Sequence, residues 1–329
     1  YKDPESYTNI YNIELNKENF RLIKTIDAHY VRARGQIVNL SKNIKSKLRI
    51  EFDTEKPFDE LLTFYGYVRN LITFLTRISN NEFEVKLLTK TSFEEKQYYE
   101  DFAIVKFYGD FSSRNSELLI VQDVLQLDDI GDGIVDLFKL LNSDDKMPNL
   151  LFLPNNIEDR SFIKYTQIVD ICSAIEIEYK LGRIQQENND LKTKAKDLAK
   201  EINAFVDSID TDNLLKEKAK SIIGSGLKNY SPSLREKIKL LYNSHKDGLE
   251  LIIKDHPWLP NFTDEIFYRY IKQFTEMRNR TAHQKMCWNG GEVIYIHIMI
   301  LLYLSIFERA NIPRDIAVKS INHGFRNNF

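Results

Sequence analysis

Apolar and polar positions change their rhythm near the middle of the chain. In the first part, short runs rich in β-branched and aromatic residues dominate: HYVRARGQIVNL, KLRIEFD, DFAIVKFYG and ELLIVQDV. EFEVKLLTK alternates, placing Phe83, Val85 and Leu87 on one side, the period of two expected of a half-buried strand. One stretch follows a different rule. In PFDELLTFYGYVRNLITFLTRI the apolar residues Leu61, Phe64, Val68, Leu71, Ile72 and Leu75 recur three and four apart, which predicts a helix with one buried face. Pro57 stands at its opening turn, where a helix loses nothing by proline's missing N–H. Together these signals predict a β-rich α+β region over residues 1–155.

The Pro and Asn cluster LPNNIEDR around Pro154 marks the expected boundary. Beyond it the strand pattern does not return. Helices are predicted over 161–182, 185–208, 212–223, 233–246, 263–282 and 292–310. Ser233 followed by Glu236 is the signature of a capping box. Thr263 is placed to cap the next helix, with Asp264 and Glu265 opposing its dipole in the first turn. Asn311 and Pro313 close the last one. Residues 156–329 are therefore expected to form an all-α bundle, following the α+β domain of 1–155.

The run VIYIHIMILLYLSIF at 293–307 is apolar almost all round. At about 15 residues it falls short of the roughly 20 that a membrane span needs, so a buried core or interface helix is expected. His297 within it reads as a core histidine with its ring nitrogens satisfied. An outer helix of a bundle needs an apolar stripe only about 100° wide. The excess must be covered by the first domain or by a second copy of the chain.

Composition narrows the classes. With 43% hydrophobic residues in 329, the chain can bury a substantial core. Its 46 Lys and Arg against 48 Asp and Glu exclude a histone-like binder, while leaving room for a local basic site. From Ile157 onward there are 26 basic and 23 acidic residues, so the first part holds the remaining 20 and 25. The weak positive field thus falls on the helical part. Its Lys-rich stretch LKTKAKDLAKEI reads as a solvated helix face with i,i+4 pairs, in preference to a phosphate-facing surface. Cys172 and Cys287 form no CxxC, which excludes a disulfide framework and a zinc cluster and fits a reducing, cytoplasmic setting. The polar opening YKDPESYTNIYN carries no secretory pattern and no Met, so a chain beginning inside a longer reading frame is expected.

Most reactive-site templates are missing. There is no GxGxxG after a strand, no Walker loop, no HExxH and no GxSxG. The six histidines show no mutual metal-ligand spacing, and neither a metal nor a cofactor is expected. What remains is EMRNRTAHQK. With 16 arginines and six histidines, an Arg followed by His after four to six residues is expected about once by chance, so the spacing alone decides nothing. Three features sharpen it: Asn279 follows Arg278, the motif falls where a helix should end, and an apolar helix comes next. The plain structural alternative is that Arg278 caps carbonyls at the helix end and His283 faces the dipole.

Arg278-Asn279-xxx-His283 resembles the Arg-polar-x-x-x-His signature of HEPN domains, the helical bundles of many prokaryotic toxins and antiviral nucleases. The order of SFIKYTQIVDICSAIEIEYK, SPSLREKIKLLY and the motif helix is similar to that of ApeA-like HEPN proteins, which defend bacteria against phage. Their β-rich amino-terminal region also carries a helix like PFDELLTFYGYVRNLITFLT. The resemblance implies a metal-independent endoribonuclease, acting on host RNA, tRNA in particular, during phage infection, with a phage-derived trigger. It makes His283 the proton-transfer group, Arg278 the phosphate-binding cation and Asn279 a positioning residue. Arg280 and Lys285 would line the RNA approach, and Glu176 would support the site. One departure is visible: after Ala174-Ile175-Glu176 the family often continues to a His-Arg pair, where this chain has Tyr179 and Lys180.

Histidine titrates near neutrality, so it can take a proton from a ribose 2′-OH or give one to the leaving 5′-oxygen. A guanidinium can hold the charge that develops on the phosphorus oxygens. On an ideal helix residues 278 and 283 lie about 140° apart. Either the helix distorts near Thr281 or two copies share the site, as in a homodimer joined through the helical domains, the arrangement the family resemblance implies. The alternative function is a noncatalytic HEPN-type dimerisation or interaction module.

Overall fold

The computed structural model describes residues 5–28, 30–33, 36–39, 45–79, 83–93, 96–106, 124–156, 163–182, 189–228, 231–256, 259–260, 262–282 and 291–325. Two long strands stand where the sequence reading placed no element: β1 (Glu5–Leu15) and β2 (Glu18–Ala28). Asn16 and Lys17 join them with φ of 51° and 69°. Two consecutive positive φ values give the turn whose twist matches that of a hairpin, and Asn tolerates that region well. β3 (Tyr30–Ala33) and β4 (Gln36–Asn39) form a separate hairpin, and β5 (Lys45–Phe52) pairs antiparallel with β2.

In the three-stranded sheet, ordered β1-β2-β5, the register aligns Ile13 with Phe20 and Phe20 with Phe52. The next inward row is Tyr11, Leu22 and Ile50. These rows pack on α1 (Leu61–Thr76) and on α3 (Ile134–Leu141), which follows the single-turn α2 (Leu127–Ile130). Phe20 meets Phe64 and Phe138 at ring separations of 5.7 and 5.9 Å. β6 (Val85–Phe93) and β7 (Lys96–Val105) fall on EFEVKLLTK and the first half of DFAIVKFYG, both expected as strands, and pair as a hairpin with a register shift at Leu87/Leu88. Residues 117–123 of the expected strand ELLIVQDV lie outside the described residues.

After Val105 no strand occurs among the described residues. The helices are α4 (Tyr165–Leu181), α5 (Asn189–Ser208), α6 (Asn213–Ile223), α7 (Leu234–Asp255), α8 (Asp264–Ala282), α9 (Gly291–Arg309) and α10 (Arg314–Gly324). An α+β region followed by a helical one is thus the architecture. The capping box at the start of α7 forms: Ser233 N–H donates to Glu236 at 2.7 Å, and Glu236 N–H to Ser233 Oγ at 3.3 Å. α7 runs nine residues past the expected end at 246. Leu249, Ile252 and Ile253 continue its buried stripe there. α10 was not expected at all. Asn311, at φ 54°, turns the chain, and Pro313 opens a new helix instead of ending the structure.

α9 lies at the centre. From Ile294 to Phe307 almost every side chain is buried, against α4, α7, α8 and α10. The first part of the chain covers the rest. The Phe74 ring of α1 lies tilted against Tyr303, 4.6 Å between centres, and the Tyr303 hydroxyl donates to the Phe74 carbonyl at 2.9 Å. Tyr295 donates in the same way to Phe152, at 2.6 Å. The apolar excess of α9 is therefore closed within one chain, and it no longer calls for a second copy at Ile298. Gly248 lets α7 come close: a Cβ there would stand 3.3 Å from Leu304. No helix among the described residues is long and apolar enough to cross a membrane.

Candidate active site

α8 is oriented by its buried stripe. Phe267, Ile271 and Phe274 recur at four and three, and each is buried to 1% or less. Thr263 Oγ1 accepts from Ile266 N–H at 3.4 Å at the start of the helix. Asp264, in its first turn, accepts from the Tyr242 hydroxyl at 2.8 Å and pairs with Lys246 at 2.7 Å. With that end anchored on α7, the next position of the stripe, four residues beyond Phe274, is Arg278. The sequence thus places a cation where the core-facing row reaches the end of the helix.

Arg278 is half-buried, and its Nη1 donates to Asn279 Oδ1 at 3.3 Å. It faces α4, where Cys172 and Glu176 lie one turn apart on a common face. Both charges act on the Cys172 thiol, Arg278 lowering its pKa and Glu176 raising it. Burial outweighs them and pushes it up to about 12. A thiol so held is neutral at physiological pH and is no nucleophile. Glu176 pairs with Lys237 of α7 at 3.1 Å, and the Lys237 ammonium lies 5.6 Å from the centre of the Tyr179 ring. Among the described residues Arg278 itself has no carboxylate within ion-pair distance. Among those residues its guanidinium therefore has donors uncommitted, the kind of group that holds an anion such as a phosphate.

Of the residues picked from sequence, the fold brings Arg278 and Glu176 to one face, through α8 and α4. Asn279 stands beside Arg278 on the exposed side. Arg280 continues the helix, but its side chain, together with His283 and Lys285, lies outside the described residues. Two members of the cluster were missed, Cys172 and Lys237. Lys237 had a legible signal: it precedes Leu241, His245 and Gly248 on one stripe of α7, a charge in a row of core positions. Glu178, two residues after Glu176, points the opposite way and binds Arg309 with two contacts of 2.9 and 2.6 Å. That buried pair holds α4 to α9 and belongs to the frame of the site.

The other histidines have different surroundings. His297 is fully buried, with Nδ1 2.7 Å from the Val293 carbonyl, Nε2 3.2 Å from that of Pro260 and its ring stacked on Phe262. Burial lowers its pKa against the pull of those carbonyls. His245, two turns beyond Lys237 along α7, lines a cavity of about 210 Å³ with Leu304, Glu308, Ile312 and Arg314. Among the described residues no three His, Cys, Asp or Glu side chains gather as a metal-binding group. No protein-family model, curated protein or solved structure matches the chain.

Proposed function

We propose that the chain is a metal-independent endoribonuclease of HEPN type, cutting host RNA, tRNA in particular, as part of a bacterial response to phage. The observation that carries this reading is the placement of Arg278. It extends the buried stripe of α8 to the helix end, beside α4 and free of a carboxylate partner among the described residues, with Asn279 next to it and His283 immediately beyond Ala282. In the reaction, a histidine accepts the proton of the ribose 2′-OH as that oxygen attacks phosphorus. The bond to the 5′-oxygen breaks, and the leaving oxygen receives a proton. The products are a 2′,3′-cyclic phosphate and a 5′-OH end. Arg278 holds the nonbridging oxygens as their charge grows. Two copies pair their motifs, which supplies the second proton-transfer group. Lys237 and Glu176 support the Arg278 face, and Arg280 and Lys285 contact phosphates along the approach.

The test is incubation of the purified protein with total bacterial RNA in EDTA, followed by sequencing of new 5′-OH ends. Discrete ends that vanish with His283→Ala support the reading. A folded protein that generates none, either alone or with lysate of phage-infected cells added as the source of the trigger, refutes it, and leaves the helical part as an interaction module.

A further inference from the structure

The cavity beside His245 lies where α7, α9 and α10 meet. Its wall is graded. His245, Leu304, Ile312 and Ala317 are each 5% exposed or less, whereas the side chains of Glu308 and Arg314 are 36% and 53% exposed. Two opposite charges thus stand at the mouth, over a buried and mostly apolar floor. One polar atom belongs to that floor, Nε2 of His245. It has no hydrogen-bond partner among the described residues, and Glu308 Oε2, at 3.7 Å, is too far to serve. A buried polar atom left unpaired is costly, so one that lines a cavity points to a bound group. Burial, with the Arg314 charge behind it, pushes the His245 pKa down to about 4. The neutral ring can therefore offer a lone pair at Nε2.

Size bounds the occupant. A cavity of about 150 Å³ takes benzene, so about 210 Å³ takes roughly eight or nine non-hydrogen atoms. A nucleotide is far too large to be enclosed. Charge bounds it further. Glu308 matches a cationic donor, Arg314 matches an anion, and Leu304, Ile312 and Ala317 match an apolar body. Arg314 is tied elsewhere by a single 3.3 Å hydrogen bond from Nη1 to the exposed Asp247, a weak and screened competitor. We propose that this cavity binds a small aliphatic α-amino acid, its ammonium donating to Glu308 and His245 Nε2, its carboxylate accepting from Arg314, and its side chain packed on Leu304, Ile312 and Ala317.

This site is independent of the nuclease reading, because binding is measured without RNA. Calorimetric titration of the full chain with L-leucine, L-isoleucine and L-valine should reveal one saturable site for at least one of the three, and that ligand should raise the thermal unfolding midpoint. Arg314→Gln and Glu308→Gln, both at the partly exposed mouth, should each weaken binding at least about tenfold, the scale of one charge-assisted hydrogen bond. Leucine without its amine (4-methylpentanoate) or without its carboxylate (3-methylbutylamine) should be weaker than leucine by a similar factor. No saturable binding of any of the three amino acids up to about 10 mM overturns the site and leaves a crevice for water. Binding that either folded variant leaves unweakened, or that either stripped analogue equals, overturns the assignment of the charges.

Discussion

Arg309→Met tests how the frame behind the site is held. Arg309 and Glu178 are 7% and 1% exposed, and they meet in two contacts, 2.9 Å from Nε and 2.6 Å from Nη2. Ser305 also donates to Glu178 at 3.0 Å, and Arg309 reaches the Lys146 carbonyl at 2.7 Å. Burial already holds the Glu178 carboxyl above its usual range, with Arg309 working against that shift. Methionine keeps the length of the side chain but leaves a buried carboxylate without its counter-charge. Breaking a buried pair from one side costs about 3–5 kcal/mol. With an unfolding entropy of about 2.1 cal/mol/K per residue, a loss of 4 kcal/mol over 329 residues lowers Tm by about 6 °C.

The sign of the pH dependence follows from the same carboxyl. In the variant its folded pKa rises further above the unfolded value, so its contribution is fully present below the unfolded pKa and is lost as pH rises through the folded one. The deficit relative to the parent should therefore be largest at pH 7.5 and shrink towards pH 5. Urea unfolding followed by circular dichroism at both pH values measures it. Glu178→Gln added to Arg309→Met should recover about 2 kcal/mol at pH 7.5, since it removes the stranded charge. A deficit under about 1 kcal/mol, or one that is the same at both pH values, would refute the account.

Burial, helped by the Arg314 charge, lowers the His245 pKa to about 4 from an ordinary 6.5. Glu308 lies 3.7 Å from its Nε2, but its side chain is 36% exposed and too well screened to reverse this. The neutral ring thus contributes stability that is complete above about pH 6.5 and falls by about 3 kcal/mol as pH drops to 4, a slope that His245→Gln should flatten in urea titrations. Ile298→Glu, fully buried in the parent, should give insoluble or unfolded protein, and a folded monomer by light scattering would contradict the packing of α9. Arg278→Lys should lose RNA cleavage with stability within about 1 kcal/mol, because an ammonium lacks the planar pair of donors. Full cleavage in that variant would reduce Arg278 to a surface contact.

Where a buried face imposed its period, the sequence was readable. The three-and-four spacing in 57–78 gave α1, the caps at Ser233 and Thr263 gave the starts of α7 and α8, and alternation from Phe83 gave β6. Tyr11, Ile13 and Leu15 alternate just as plainly, and so do Phe20 and Leu22; the turn Asn16-Lys17 lacks the glycine that usually advertises such a hairpin. α10 was hidden behind Pro313, which can stop one helix and equally stand at the N-cap of the next.

The chain's own pattern therefore determined the local elements, the order of an α+β region before a helical one, and the presence of an Arg-Asn-x-x-x-His run at a helix end. Only the tertiary structure decided what those elements cover. Periodicity tells how much of a helix must be buried and is silent on the partner, which is why α9 fitted a dimer seam as well as the centre of one chain until Phe74 and Phe152 were seen against it. Likewise Glu176 and Glu178 are equivalent in sequence. Packing on α4 turned one towards Lys237 and the face of Arg278, and sealed the other against Arg309, because two residues' separation on a helix is a half-turn and the core lies on one side.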